Sequence, residues 1–484
     1  MKTWMRTAAA TLAAVMLTAC AAGCQQEEPA SSGGGSSSKP SSAAAENLNP
    51  KGYDFGGETV TIASTYIKLA DMVPGKNNDT DRLLDRISEV EQAFHVNVEF
   101  KEVDQGTYWD NMATTIMGGT PFGDVMEGVP WYIGGWIRAG AVRDISGLSR
   151  EVGIDFHDGT WSQVTLADQT YGSAIYGFSR ERDAVQVMCL YNRKLFRAAG
   201  LTDPNELIEQ GKKWDFATFQ DYARQLVKFD STGEAVQWGV GTTCADMVLA
   251  GLIMSNGGEV VTQKEDGTLA LGLTDAKALA AVEVFNNMCN TDKSLTTFGY
   301  QKAAEFLPSG KMGMLLCEEW VLDEYVNTYA QQNNIDRTDY GMTYFPVGPS
   351  GDSYLDPSMG GNAMFIPQTI SEDAAKRALV VYAALYAPSE ALTRRQEVEM
   401  RADELFADAA SAQVYADILL NWRGRCNDVC RAGIFESFQE LSKAFLAGGG
   451  TPSSMITGLA PEMQGLIDDS PYTAILKAQQ ENNG

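Results

Sequence analysis

DRLLDRISEVEQAF at residues 81–94, running directly into HVNVEF at 95–100, sets the architecture of this chain. In the first segment the apolar residues recur every three or four positions, the period of one helix face. In the second, Val96, Val98 and Phe100 alternate with polar residues, the two-residue period of a strand. Upstream, Tyr53-Asp54-Phe55-Gly56-Gly57 reads as a turn, and Glu58–Ala63 as another alternating, β-branched strand. Downstream, 108–117 has helical spacing and breaks at Gly118-Gly119-Thr120-Pro121, after which Asp124-Val125-Met126 opens a strand. Strand, helix, strand, helix, strand is the pattern of a parallel sheet with helices on its faces.

The same alternation returns further on. Val187–Tyr191 is strand-like, and 194–199 is helical up to the stop at Gly200. A helix is expected over 216–229 with Asp215 as its N-cap. Trp238–Gly241 reads as a strand, 247–254 as an apolar helix, 275–289 as an amphipathic helix and 313–316 as a buried strand. A long helix covers 373–385, and the chain beyond Glu390 is helical by composition. Some 430 residues of body exceed what one simple core accommodates and point to two lobes.

The N-terminus addresses the chain to the cell surface. Lys2 and Arg6 precede an uncharged run, 7–17, that is too short for a bilayer-spanning helix and has the proportions of a signal-peptide core. It ends in Leu17-Thr18-Ala19-Cys20, similar to the lipobox of bacterial lipoproteins; Ala21-Ala22-Gly23-Cys24 is the alternative. Residues 25–49 are rich in Ser, Gly, Ala and Pro and cannot bury enough apolar surface to order themselves, as befits a leash. No later stretch is long and apolar enough to span a membrane.

The net charge is −26, and loss of residues 1–19 removes Lys2 and Arg6 and no acid, leaving −28. Such a surface excludes nucleic acid, whose binding rests on basic side chains meeting phosphates. Of the cysteines beyond the signal region, Cys189, Cys244, Cys289 and Cys317 stand singly, mostly in apolar surroundings. Cys426 and Cys430 form the one close pair, compatible with one helical face or a local disulfide. With no second Cys or His pair, the chain offers no zinc site.

Several motifs, taken in order, resemble the extracellular solute-binding proteins of ABC importers, and most closely the sugar-type members. They are the opening Tyr53–Gly57 turn, Gly118–Asp124, Trp136 through Gly140–Ile145, LYNRKLFRAAGL at 190–201, Trp214–Phe219, Asn256-Gly257-Gly258, and Gly310–Met314 through Trp320. Residues 395–431 match little. The resemblance implies an α/β, two-lobed periplasmic-binding-protein-like fold of type II, each lobe a mixed sheet flanked by helices, with ligand held in the cleft between them. It implies crossing segments near 178–187, near 360–366 and after about Ala387. The expected layout is a signal peptide at 1–19, a lipidated linker at 20–50, an N-lobe from 51–180 and 361–392, and a C-lobe from 181–360 and 393–484.

A sugar offers C–H faces to flat aromatics and hydroxyl edges to planar polar groups, so strand ends and turns carrying both residue types are the candidates. Tyr66 follows the first strand, in a loop that faces the cleft in the family. Trp131 follows the third, with Trp136 read as lobe packing. Asp246 stands before the helix at 247–254, either as a ligand acceptor or as an N-cap. Glu319 and Trp320 follow a buried strand, Asn362 lies in a crossing segment, Glu181 in another, and Trp422 is a contribution from the tail. The expected partners are a small molecule, a sugar in the first instance, and the permease subunits of an ABC transporter. The chain is expected to be a monomer, anchored through its lipid on the outer face of the cytoplasmic membrane, with no cofactor and no metal.

No catalytic reading competes. His95 and His157 lie at a helix–strand junction and in a polar turn, and both read as structural. There is no G-x-S-x-G elbow, Gly310-Lys311 lacks the upstream glycine of a phosphate loop, and H-E-x-x-H is absent. Glu318-Glu319 invites a two-carboxylate glycosidase reading, but adjacent residues at a strand end point to different faces. The remaining rivals are a binder of a polyamine or peptide, and a receptor that serves a sensor.

Overall fold

The computed structural model describes residues 48–180, 184–358, 360–388, 393–421 and 428–483. The chain begins with strand β1 (Thr59–Ser64), helix α1 (Asn78–Phe94), β2 (Asn97–Glu102), α2 (Gln105–Met117), β3 (Val125–Gly128) and α3 (Pro130–Arg138). A small hairpin, β4 (Thr170–Tyr171) and β5 (Ala174–Ile175), precedes β6 (Met188–Asn192). Then come α4 (Phe216–Leu226), β7 (Lys228–Phe229), β8 (Ala235–Thr242) and α5 (Ala245–Ser255). A second hairpin, β9 (Val261–Gln263) and β10 (Leu269–Leu271), leads to α6 (Ala276–Asn286), β11 (Leu295–Thr297), β12 (Met312–Cys317), β13 (Tyr340–Thr343) and β14 (Ala363–Phe365). The tail is helical: α7 (Glu372–Leu385), α8 (Arg394–Leu405), α9 (Ala409–Leu420), α10 (Phe435–Leu446), α11 (Pro452–Asp468) and α12 (Pro471–Asn483).

Two sheets result. The first has the order β14-β3-β1-β2, with β1 parallel to both neighbours and β14 antiparallel to β3. The second has the order β11-β8-β12-β6-β13, with β7 beside β8; its three members β11, β8 and β12 are parallel and β6 runs against them. Each is thus a mixed sheet, and two crossover helices of the first follow from its sequence. Asn77 caps α1 by accepting from the Thr80 N–H at 2.8 Å, and His95 ends it in the left-handed conformation at φ 49°. The α1 face bearing Val90 and Phe94 is buried with Val60 and Ile62 of β1. A fully buried phenylalanine such as Phe94 contributes about 2–3 kcal/mol.

Phe178 and Met364 exchange backbone hydrogen bonds of 2.9 and 2.7 Å at the edge of the first sheet, and the chain leaves from there towards β6. It returns between β13 and β14, and α7 then packs on β1 and α1. The helices α8 and α9 belong to the second sheet, and α10 and α11 pack on α5 and α6. The last helix, α12, lies against α3 and β4 of the first body.

Three local expectations need correction. The helix expected over 216–229 ends at Leu226; Val227 is extended, and Lys228–Phe229 pairs instead with β8. The helix expected over 275–289 ends at Asn286 and continues as a wider turn, Asn287–Thr291. Asp246 is not an N-cap, since Cys244 holds that position and Asp246 lies in the first turn of α5. Cys189, Cys244, Cys289, Cys317 and Cys430 form no disulfide among the described residues. Cys20, Cys24 and Cys426 lie outside the described residues, as do Glu181 and Trp422. No described helix is long and apolar enough to cross a membrane.

Candidate ligand-binding site

Because β1 and β3 are parallel, their C-terminal ends lie side by side, and in open α/β sheets that edge is where ligands bind. Glu127 occupies it, near the end of β3. One carboxylate oxygen accepts from the Ser64 hydroxyl at the end of β1. The other accepts from the Asn362 side-chain amide at 3.2 Å. The Ser64 oxygen in turn accepts from the Tyr66 N–H at 2.9 Å, which fixes the loop after β1. Burial pushes the Glu127 carboxyl above its ordinary range, against the two hydrogen bonds that favour its charge.

The second sheet presents a matching edge. The parallel strands β8 and β12 end together, and the Thr243 hydroxyl donates to Glu318 at 2.7 Å. Glu318 is also raised by burial, with the charge of nearby Asp246 adding to the effect. The two edges approach each other at Tyr66 and Tyr300. The Tyr66 hydroxyl is raised by burial, then by the charge of Glu127, and feels Tyr300 of the second body as well. The Tyr300 hydroxyl is raised by burial and by Glu318, with Asp246 also contributing.

Aromatic faces surround these acids. Trp109 stacks on Tyr132 at 5.5 Å and on Trp136 at 6.0 Å, and Tyr66 tilts against it at 6.4 Å. On the other side Tyr300 meets Trp320 at 4.6 Å, and Trp320 meets Tyr325 at 5.8 Å. Trp131 stacks on Phe435 of α10 at 5.3 Å. Tyr66 (50 % exposed), Trp131 (45 %), Tyr132 (41 %), Trp320 (38 %) and Tyr300 (37 %) are five of the six exposed aromatic side chains among the described residues, Phe229 being the sixth. Exposed aromatics scattered singly are ordinary, but their concentration at one place marks a surface meant to be covered.

Of the residues expected from sequence, Tyr66, Asn362, Trp320 and Asp246 come together around this space, and Trp131 stands beside it on the Phe435 ring. Glu319 is a correction. It is 4 % exposed, and its carboxylate accepts from the Val185 N–H at 3.0 Å, the Tyr415 hydroxyl at 2.9 Å and Arg401 at 3.2 Å. Adjacent residues at the strand end do point apart, and it is Glu318 that turns towards Tyr300. Trp136 is buried packing, as expected. Glu127, Tyr132 and Tyr300 were not singled out. The usable signal for Glu127 is a lone carboxylate near the end of the otherwise apolar stretch 125–129, directly before a glycine. Tyr300 carries none, because only tertiary structure brings the start of its helix to β12.

The sequence matches the model of the bacterial extracellular solute-binding proteins over residues 86–388, well over half of the chain. The chain belongs to that family. As an extracellular solute-binding protein it shares its two-lobed fold with solved structures of low identity. UgpB of Mycobacterium tuberculosis, solved with glycerophosphocholine, is 18 % identical, with 85 % of this chain and 98 % of that one covered at a TM-score of 0.59. The GacH receptor of Streptomyces glaucescens, solved unliganded and with acarbose, is 16 % identical over 85 % and 99 % at 0.57. The maltose/maltodextrin-binding domain MalE of Bdellovibrio bacteriovorus, bound to maltotriose, is 17 % identical over 85 % and 99 % at 0.55. No curated protein matches the sequence. The family match stops at residue 388, before the helices from α8 onward, whereas each of these structures aligns with 85 % of the chain.

Proposed function

We propose that this solute-binding protein is the receptor of an ATP-driven importer, tethered outside the cytoplasmic membrane by a lipid on Cys20, and that it captures a sugar by closure of its two lobes. The observation that carries the reading is the facing arrangement of acid and aromatic groups at the C-terminal edges of two separate sheets, with Glu127 and Tyr66 on one and Glu318 and Trp320 on the other. A ligand that contacts both edges stabilises the closed state by its differential contacts. The saccharide complexes of GacH and MalE, which share the fold, support a sugar. The Ser/Gly-rich stretch after Cys20 supports the tether.

A thermal-shift screen of the purified protein against mono- and oligosaccharides, polyamines and peptides tests the solute. A ligand at a hundred times its dissociation constant adds about 2.7 kcal/mol of stability. A rise in melting temperature with one saccharide class, lost in Trp320→Ala, is expected; a rise with peptides alone would reject the sugar. Incorporation of labelled palmitate, abolished by Cys20→Ala, tests the anchor, and loss only with Cys24→Ala would move it.

A further inference from the structure

Among the described residues the site is unbalanced in charge. Glu127 is held by the Ser64 hydroxyl and the Asn362 amide, and Glu318 by the Thr243 hydroxyl. Asp246 accepts from the Met247 N–H at 3.0 Å and, at 3.5 Å, from the Gln439 amide. All these donors are neutral, and none of the three carboxylates is in an ion pair among the described residues. The chain does supply arginines to other shielded acids: Glu319, next to Glu318, pairs with Arg401, and Asp408 pairs with Arg193 at 2.7 Å. Half-buried acids without a cation are costly unless something else brings the charge.

Hydrogen-bond complementarity points the same way. An ionised carboxylate only accepts, and one of the two N–H donors of the Asn362 amide is spent on Glu127. Three carboxylates beside the space favour a ligand that brings donors and charge to them. A hydroxyl brings one donor and needs donors in return, whereas an ammonium brings three and accepts nothing. The surrounding rings add a second attraction, since the faces of Tyr66, Tyr300 and Trp320 draw a cation by their quadrupoles.

We infer that the solute carries a protonated amine, as in an amino sugar or a sugar-sized polyamine, seated between Glu127 on one lobe and Glu318 on the other. This rests on the solute-capture reading above and narrows its ligand class. Calorimetric titration of the purified protein with saccharides and their amino counterparts separates the two. The probe set is glucose, glucosamine and N-acetylglucosamine, the corresponding disaccharides, putrescine and spermidine. Amine members are expected to bind at least about tenfold more tightly than neutral partners of the same shape. Glu127→Gln and Glu318→Gln, each with its melting temperature checked, should remove that preference. A neutral sugar that binds as well as its amine, with both variants unaffected, overturns the inference and leaves solute capture standing. Binding of no probe by a protein that melts cooperatively overturns both.

Discussion

Trp131 and Phe435 lie face to face, their ring centroids 5.3 Å apart and their planes 14° from parallel, and they join helix α3 of the first body to helix α10 of the tail. The contact is one of several by which the tail holds the first body. The Arg431 guanidinium covers the Tyr472 ring at 4.7 Å while donating to the Ala167 and Thr170 carbonyls. Gln479 bonds the β4–β5 hairpin, through the Tyr171 carbonyl of β4 and the Ser173 N–H of its turn. Tyr472 also reaches the second body, where its hydroxyl meets Gln263 and the Gly267 carbonyl.

Phe435→Ala should therefore loosen the hold of the tail on the first body. A stacked aromatic pair is worth about 0.5–1.5 kcal/mol beyond its buried area, so ligand affinity should fall about three- to tenfold. Small-angle scattering of the empty variant should show a larger radius of gyration. Unchanged affinity and dimensions would mean that the stack plays no part in closure.

Gly360 has φ +99°, and a Cβ there would stand 2.5 Å from a carboxylate oxygen of Asp168. The residue opens the return crossing that delivers Asn362 to Glu127. Gly360→Ala combines an unfavourable backbone conformation with a clash and should cost about 1–3 kcal/mol of stability and weaken ligand binding together. Gly458→Ala, inside α11 where nothing lies within 4 Å, should do neither. Urea denaturation and titration of the two variants side by side would decide whether the crossing positions the site.

The adjacent acids Glu318 and Glu319 should separate cleanly in the same assays. Leaving a buried donor unsatisfied costs about 1–3 kcal/mol, so Glu319→Ala should destabilise by removing the acceptor of the Val185 N–H and one of the three carboxylates around Arg401. Glu318→Ala should leave stability near or above the parent value and act on ligand affinity instead. The reverse pattern would restore Glu319 as the contact residue.

That swap shows how far the sequence reading reaches. Periodicity revealed the helix at 81–94 and the strand after it because each has one buried face, and a face leaves a repeat in the sequence. Phe178 and Met364 meet at the edge of the first sheet, in segments that the resemblance expects to cross between lobes. The site was half legible. Tyr66, Trp320 and Asn362 follow strands or sit at a crossing, which is a local property. Glu127 and Tyr300 matter because β1, β3, β8 and β12 bring their ends together, and no local pattern records that pairing. The choice between Glu318 and Glu319 turned on Arg401, 82 positions away. Likewise Val227 leaves its helix because β8 offers a partner for the next two residues, a tertiary reward that composition does not display.

The burial of Glu127 and Glu318 fixes the sign of one pH dependence. Both carboxyls are raised above their ordinary value of 4.5 in the folded protein. Below that value the groups are protonated in both states and contribute nothing. As pH rises through 4.5 the unfolded chain releases its protons first, so the folded state loses relative stability until the raised values are passed. At neutral pH these two acids thus destabilise the empty protein. Glu318→Gln should melt with the parent at about pH 3.5 and above it by a margin that grows with pH and levels off towards neutrality. Melting curves from about pH 3.5 to about pH 8 check this. A parent protein more stable than Glu318→Gln at neutral pH would show that the folded state stabilises the Glu318 charge, and that the site is not short of a cation. Addition of an amine ligand should erase the difference in the parent's disfavour, because the ligand supplies the charge that the empty site lacks.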